Sequence, residues 1–355
     1  MLGRPLTALL FILIAGCTSS LNGAAAPDTL IAQNVSVRDI RFTGHNNEPF
    51  HARLWHPTSD DNIETFGQSR IRPGYQAVPD GELSLSKPAP LIILVHGSGG
   101  SADSMAWLAL GLAKSGAIVV AADHPDSSGG NPERRSILDL WTQPRDVSLM
   151  LDQLKTTKWA SHIDADRISV VGFSLGGTSA LMLSGARLEF KKYPEFCDNH
   201  DDGACRAFRQ HFSSMDDASF YAKTNADYAD KRLTASVAIA PGFTETMTPD
   251  SILNLKAPTL ILTGANDQQL PPNTHMAPIR DYVRSPDVYK SIIGAQHFSF
   301  LPLCGPDAVN ILAETNEEFV CEEVGDKTRT EIHAEVLEEV TGFLCRQNRL
   351  DQCAR

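Results

Sequence analysis

Ile168-Ser169-Val170-Val171-Gly172-Phe173-Ser174-Leu175-Gly176-Gly177 is the stretch on which the reading of the fold turns. A short apolar run, ISVV, enters a glycine-flanked serine, and an apolar helical pattern follows at once to about residue 186. Strand, sharp turn and helix with serine at the tip is the setting that a G-x-S-x-G elbow requires. The glycines are needed because the serine backbone is strained and bulkier neighbours would clash. Ser174 is therefore a candidate nucleophile.

Similar β-branched runs occur on either side of this stretch, at 91–95, 117–122, 235–240, 259–263 and 288–293. Continuous apolar strands of this kind are buried on both faces, as in a parallel sheet. Helical patterns lie at about 102–115, 144–157 and 328–346, and the last places Ile332, Val336, Val340 and Phe343 on one stripe. The alternation predicts a doubly wound, mostly parallel α/β sheet. Residues 35–43 and 50–56 alternate apolar and polar across a Gly-His-Asn-Asn turn, which predicts an antiparallel hairpin at the sheet edge. The Pro-, Ser-, Gly- and Asp-rich residues 57–90 read as a surface loop. Residues 187–232 are polar, break the rhythm and read as an excursion over the carboxyl edge of the sheet. They either cover a pocket or form a surface excursion stapled by a disulfide.

A serine hydroxyl needs a base, and the base an orienting carboxylate, in the chain order Ser, acid, His for such an elbow. Asp267 follows the run TLILT, and His297 follows VYKSIIG, so both sit at strand carboxyl ends, where open α/β sheets place their sites. Asp281 and Asp287 are the alternative acids. Among the other histidines, His96 braces a turn, His124 comes too early in the chain, and His275 has no strand between it and Asp267. His96-Gly97-Ser98-Gly99-Gly100 directly follows the apolar run 91–95, and the backbone N–H groups of Ser98 in this turn and of Leu175 after the elbow serine are expected to hold an oxyanion. The nucleotide-binding patterns G-x-x-x-x-G-K-[ST] and G-x-G-x-x-G are absent from this loop. Two further segments invite function. Arg145, in Trp141-Thr142-Gln143-Pro144-Arg145-Asp146, is either an anion clamp or half of a structural Arg-Asp pair opening a helix. Asp198 to Asp202 (DNHDD) lacks the EF-hand spacing and glutamate, so it reads as a solvated loop.

The composition is that of an ordinary globular chain: 42% hydrophobic, 7% aromatic and 21% charged over 355 residues. That excludes a wholly disordered, collagen-like or coiled-coil protein. A net charge of −12 with no dense basic run argues against nucleic acid as a partner. Arg4, the apolar run Leu6 to Ala15 and Gly16-Cys17 read as an export signal, too short to span a bilayer. Ile14-Ala15-Gly16-Cys17 resembles the bacterial lipobox, which implies cleavage before Cys17 and its lipidation. The expected divisions are a signal at 1–16, a tether at 17–32 and one domain at 33–355. Thr18 after Cys17 implies, by the same resemblance, the outer membrane of the cell envelope, or the outer face of the membrane in a host that has only one. Setting Cys17 aside leaves six of the seven cysteines, and the simplest pairing joins sequence neighbours: Cys197 with Cys205, Cys304 with Cys321, and Cys345 with Cys353.

Taken together, the HGSGG turn and the sequence following it to Gly129, the segment Trp141 to Asp146, the elbow GFSLGG and the segment AQHFSFLPLC at 295–304 resemble the α/β-hydrolase superfamily. Within it the chain is similar to bacterial dienelactone hydrolases related to the platelet-activating-factor acetylhydrolase family. True dienelactone hydrolases use a cysteine nucleophile, whereas position 174 is serine. The resemblance implies the α/β-hydrolase fold and a Ser174-His297-Asp267 esterase acting on a small-molecule or lipid ester, with Ser98 and Leu175 as oxyanion donors and with no metal or cofactor. An amidase or peptidase using the same triad, and a non-catalytic envelope binding protein on the same scaffold, remain alternatives.

Overall fold

The computed structural model describes residues 34–129, 139–215, 217–280, 288–323, 325–351 and 353. The expected signal and tether, Cys17 included, lie outside the described residues, as do Asp281 and Asp287.

Among the described residues ten strands form one sheet: β1 (Asn34–Thr43), β2 (Pro49–Thr58), β3 (Glu64–Phe66), β4 (Tyr75–Pro79), β5 (Ala89–Val95), β6 (Ile118–Ala122), β7 (Ile163–Phe173), β8 (Leu233–Ile239), β9 (Thr259–Gly264) and β10 (Tyr289–Ile292), in the order β10-β9-β8-β7-β5-β6-β2-β1-β4-β3. The six strands from β10 to β6 run parallel. All seven residues of β5 are buried, which demands cover on both faces. Alternate side chains of β5 supply it with two cores. Ile92 and Leu94 meet α1 (Ala106–Lys114) and the C-terminal helix Arg329–Arg346, while Leu91, Ile93 and Val95 meet α2 (Thr142–Leu154) and α3 (Leu175–Leu183). The C-terminal helix shows the stripe read from sequence, with Ile332, Val336 and Val340 fully buried.

The hairpin β1-β2 forms as expected, with Asn47 at φ 64° in its turn, and β2 pairs antiparallel with β6. Residues 57–90, however, are not loop throughout. β4 pairs parallel with β1 through Ser36↔Val78 and Val37↔Pro79, and β3 pairs antiparallel with β4, so these two strands and not the hairpin form the sheet edge. Burial of Ala77 and Val78 holds β4 in place, and Pro79 ends the strand, beyond Tyr75–Ala77, the residues that pair with β3.

Among its described residues the insertion contains no strand, as expected, but it is not simply polar. It holds α4 (Lys192–Asp198), α5 (Gly203–Arg209) and α6 (Ala218–Thr224), and its Phe190, Tyr193 and Phe208 are buried in a third core with Phe243. The rings of Tyr193 and Phe208 lie 5.0 and 4.9 Å from that of Phe243, within the range of favourable edge-to-face contact. The Cys197–Cys205 disulfide joins α4 to α5. The other two expected disulfides, Cys304–Cys321 and Cys345–Cys353, are also formed.

Candidate active site

β7 ends at Phe173 and α3 begins at Leu175, leaving Ser174 alone at the turn with φ 54° and ψ −116°. This is a costly conformation for a residue with a Cβ. The packing around it explains the glycines. A Cβ on Gly172 would stand 1.9 Å from the carbonyl oxygen of Gly176, and one on Gly176 would stand 2.0 Å from that of Val95. Helix α3 approaches β7 at Gly172 and the end of β5 at Gly176 too closely for a side chain at either position.

His297 stands in the short turn after β10, against Phe173 with ring centroids 5.1 Å apart. Its Nε2 lies 3.0 Å from Ser174 Oγ, and its Nδ1 lies 2.7 Å from Asp267 Oδ2. A carboxylate only accepts, so Nδ1 carries the proton and Nε2 is free to accept from the serine hydroxyl. Asp267 is buried after β9, where its Oδ1 accepts the backbone N–H groups of Gln269 and Leu270 at 2.9 and 2.8 Å. The relay is thus anchored at its far end by main chain. Three residues separated by long stretches of sequence converge because β7, β9 and β10 all present their carboxyl ends on one edge of the sheet.

A cavity of about 280 Å³ opens beside Ser174 and is lined by Ser98, Leu175 and His297 among others. Leu175 is the first residue of α3, so its N–H has no partner within its own helix. Ser98 belongs to the glycine-rich turn, in which Gly99 takes φ 73° and donates its N–H to Ser127 at 2.7 Å. His96 braces this turn, as its sequence position suggested. Its Nε2 accepts the N–H of His124 at 3.2 Å, so Nδ1 donates to the carbonyl of Gly97 at 2.7 Å. Burial, with His124 nearby, pushes its pKa down to about 4, which keeps the ring neutral.

Gln143 is a positioning residue that the sequence did not reveal. Its buried side-chain amide donates to the carbonyl of His96 at 3.0 Å and to Ser127 Oγ, and it accepts from Ser179 Oγ at 2.9 Å. It therefore ties the glycine-rich turn to α3. A glutamine two residues from an arginine ordinarily reads as surface, and only the apolar residues around it hint otherwise. Arg145 itself is exposed, with its guanidinium over Trp141 at 5.8 Å. Asp146 turns inward to His45 Nδ1 at 2.8 Å, so the expected Arg-Asp pair is not formed.

The DNHDD segment is not wholly solvated either. Asp202 caps α5 by accepting from Cys205 N and meets His275 Nε2 at 3.0 Å, while Glu245 meets His275 Nδ1 at 3.1 Å. Burial opposes a charge on His275, but the two carboxylates outweigh it and raise its pKa to about 9. Since the folded value exceeds the unfolded 6.5, the stabilisation is complete below pH 6.5, declines as pH rises and is lost above about 9. Accordingly His275→Gln is expected to lower stability by on the order of 2 to 3 kcal/mol near pH 6, with the gap to wild type closing toward pH 9.5. Urea unfolding of both proteins across that range checks this. A gap independent of pH would exclude a charged His275 as its origin.

Among known proteins, a family model described as the alpha/beta hydrolase family matches residues 92–310. A ferulic acid esterase from Streptomyces cinnamoneus superposes with a TM-score of 0.56 at 19% identity, over 91% of this chain and 92% of that one. A puromycin-hydrolysing peptidase of Mycobacterium tuberculosis superposes with a TM-score of 0.50 at 14% identity, over 91% of this chain but only 40% of its own. At these identities the two likenesses concern the fold. No curated protein matches the sequence.

Proposed function

The chain belongs to the alpha/beta hydrolase family, and from that premise we propose that it is a serine hydrolase cleaving carboxylic esters. The observation that carries this is the continuous relay from Ser174 Oγ through His297 to the main-chain-anchored Asp267. In this reaction Ser174 Oγ attacks the ester carbonyl carbon as His297 Nε2 takes its proton, and Asp267 stabilises the imidazolium. The oxyanion is held by the N–H groups of Ser98 and Leu175, each worth about 3 to 4 kcal/mol in comparable sites. Collapse expels the alcohol, which takes the proton from His297, and leaves an acyl-enzyme. Water, deprotonated by the same histidine, then releases the acid. Similarity to an esterase of nearly the same length supports the choice of esters.

The size of the cavity and its insertion wall favour compact acyl groups. An acyl-chain series of 4-nitrophenyl esters from acetate to palmitate is therefore expected to peak at short chains, with turnover dependent on Ser174. A peak at the longest chains would contradict the compact site, and turnover of matched anilides at the rate of the esters would move the assignment to amides.

A further inference from the structure

The cavity beside Ser174 has two unlike sides. Toward the insertion it is walled by Ala207, Phe208, Phe243 and Leu270. On another side stand Arg72, from the segment between β3 and β4, and Ser104, and both also line a second cavity of about 500 Å³ that extends past Tyr75 and Trp107.

Arg72 holds a charge that the protein does not balance. Its Nη1 donates to the carbonyl of Pro302 and lies 3.9 Å from Cys304 Sγ. Arg329 Nη1 donates to the same carbonyl at 3.0 Å, so two guanidinium groups converge there. Glu323 pairs with Arg329 at 2.6 Å. No carboxylate among the described residues pairs with Arg72. Asp103, which lines the second cavity, is already engaged by Arg53 Nε at 3.1 Å and by Tyr75 Oη at 2.7 Å. His333, on the same cavity, is neutral because burial pushes its pKa down to about 4. Burial, with Arg329 beside it, also lowers Arg72, but only to about 10, so it remains a cation at neutral pH. Two guanidinium groups therefore converge on one carbonyl while Glu323 pairs with Arg329 alone, in a chain whose net charge is −12. With Nη1 occupied, the edge formed by Nε and Nη2 has no protein partner among the described residues. That edge presents two parallel N–H groups, the arrangement that grips a carboxylate in bidentate fashion.

We propose that Arg72 is the anion-binding element of the substrate site, and that the preferred substrate is an ester bearing a carboxylate in addition to the bond that is cleaved. An apolar portion lies against Phe208 and Phe243, and the carboxylate completes the open edge of Arg72. A half-buried cation left without a counter-ion is costly, and a substrate anion that relieves this cost gains both affinity and orientation. This inference rests on the ester-hydrolase function proposed above.

The test uses two matched ester pairs on the whole protein. Mono-4-nitrophenyl glutarate against 4-nitrophenyl valerate places the carboxylate in the acyl part. 4-Acetoxybenzoate against its methyl ester places it in the alcohol part. For each pair the ratio of kcat/KM, charged over neutral, is divided by the same ratio for Arg72→Gln, which cancels the intrinsic reactivity of the esters. The quotient is expected to be about 10 to 100 in at least one arm, with Arg72→Lys intermediate. A quotient near one in both arms, with neutral esters still cleaved in a Ser174-dependent way, overturns the anion site alone. Absence of Ser174-dependent turnover of all four esters overturns the hydrolase function itself, and the inference with it. Should Arg72→Gln not fold, inhibition of the wild-type enzyme by glutarate is compared with inhibition by glutaramide. Stronger inhibition by the dianion supports the proposal, and equal inhibition sinks it.

Discussion

Ser174→Ala is expected to lower kcat/KM on a short-chain nitrophenyl ester by on the order of four to six powers of ten while leaving the protein folded. The covalent step has no substitute, because the relay ends on this one oxygen, 3.0 Å from His297 Nε2. What survives is the contribution of the oxyanion donors and substrate positioning, which in comparable triads is about 10³ to 10⁴ over water. Fluorophosphonate labelling is expected to vanish together with the activity. The backbone at Ser174 adds a second readout that a surface serine would not supply. At φ 54° and ψ −116° any side chain is strained, so Ser174→Gly is expected to be as inactive as Ser174→Ala but more stable than it by about 1 kcal/mol. Thermal unfolding of the two variants measures this difference. An alanine variant that keeps a tenth of wild-type activity would rule out Ser174 as the nucleophile, and a glycine variant less stable than alanine would refute stored strain at the elbow.

The elbow was legible because its requirements are local: an apolar strand, glycines where β7 meets α3, and an apolar helix. The parallel strands were legible for the same reason, since β5 and β8 are buried on both faces and leave apolar runs that need no partner to be noticed. Asp267 and His297 could be placed because chain order and strand ends constrain them. Other features depend on contacts that no window of sequence contains. β3 and β4 span three and five residues among prolines and glycines, and their identity as strands comes from the pairing of β4 with β1 and of β3 with β4. The insertion helices α4 to α6 have seven residues each, too few for a helical period to stand out, so Phe190, Tyr193 and Phe208 look scattered until Phe243 brings them together. Gln143, His275 and Arg72 belong to the same class. Each is polar and unremarkable in its segment, and each acquires a role from partners dozens of residues away.

The role of Asp267 is the most discriminating of these to test, because an isosteric change should disable the site without disturbing its shape. In Asp267→Asn the oxygen that accepts from the N–H groups of Gln269 and Leu270 would be kept, since only the carbonyl end of an amide can accept those two bonds. The amide NH₂ is then turned toward His297 Nδ1, where the carboxylate Oδ2 now lies at 2.7 Å. An NH₂ group cannot accept a proton from Nδ1, so the imidazole is driven to the tautomer with its proton on Nε2. That proton points at Ser174 Oγ, 3.0 Å away, and the nitrogen that should receive the serine proton is occupied. The expected result is a fall in kcat of about 10⁴-fold with KM changed little, because substrate contacts are untouched. Asp267→Ala removes the acceptor for both backbone N–H groups as well, so it is expected to lose stability by about 1 to 3 kcal/mol on top of activity. Comparing the two variants separates orientation of the base from packing of the turn. If Asp267→Asn retained more than a tenth of wild-type kcat, the tautomer argument would fail and the acid of the relay would have to be sought elsewhere in the chain.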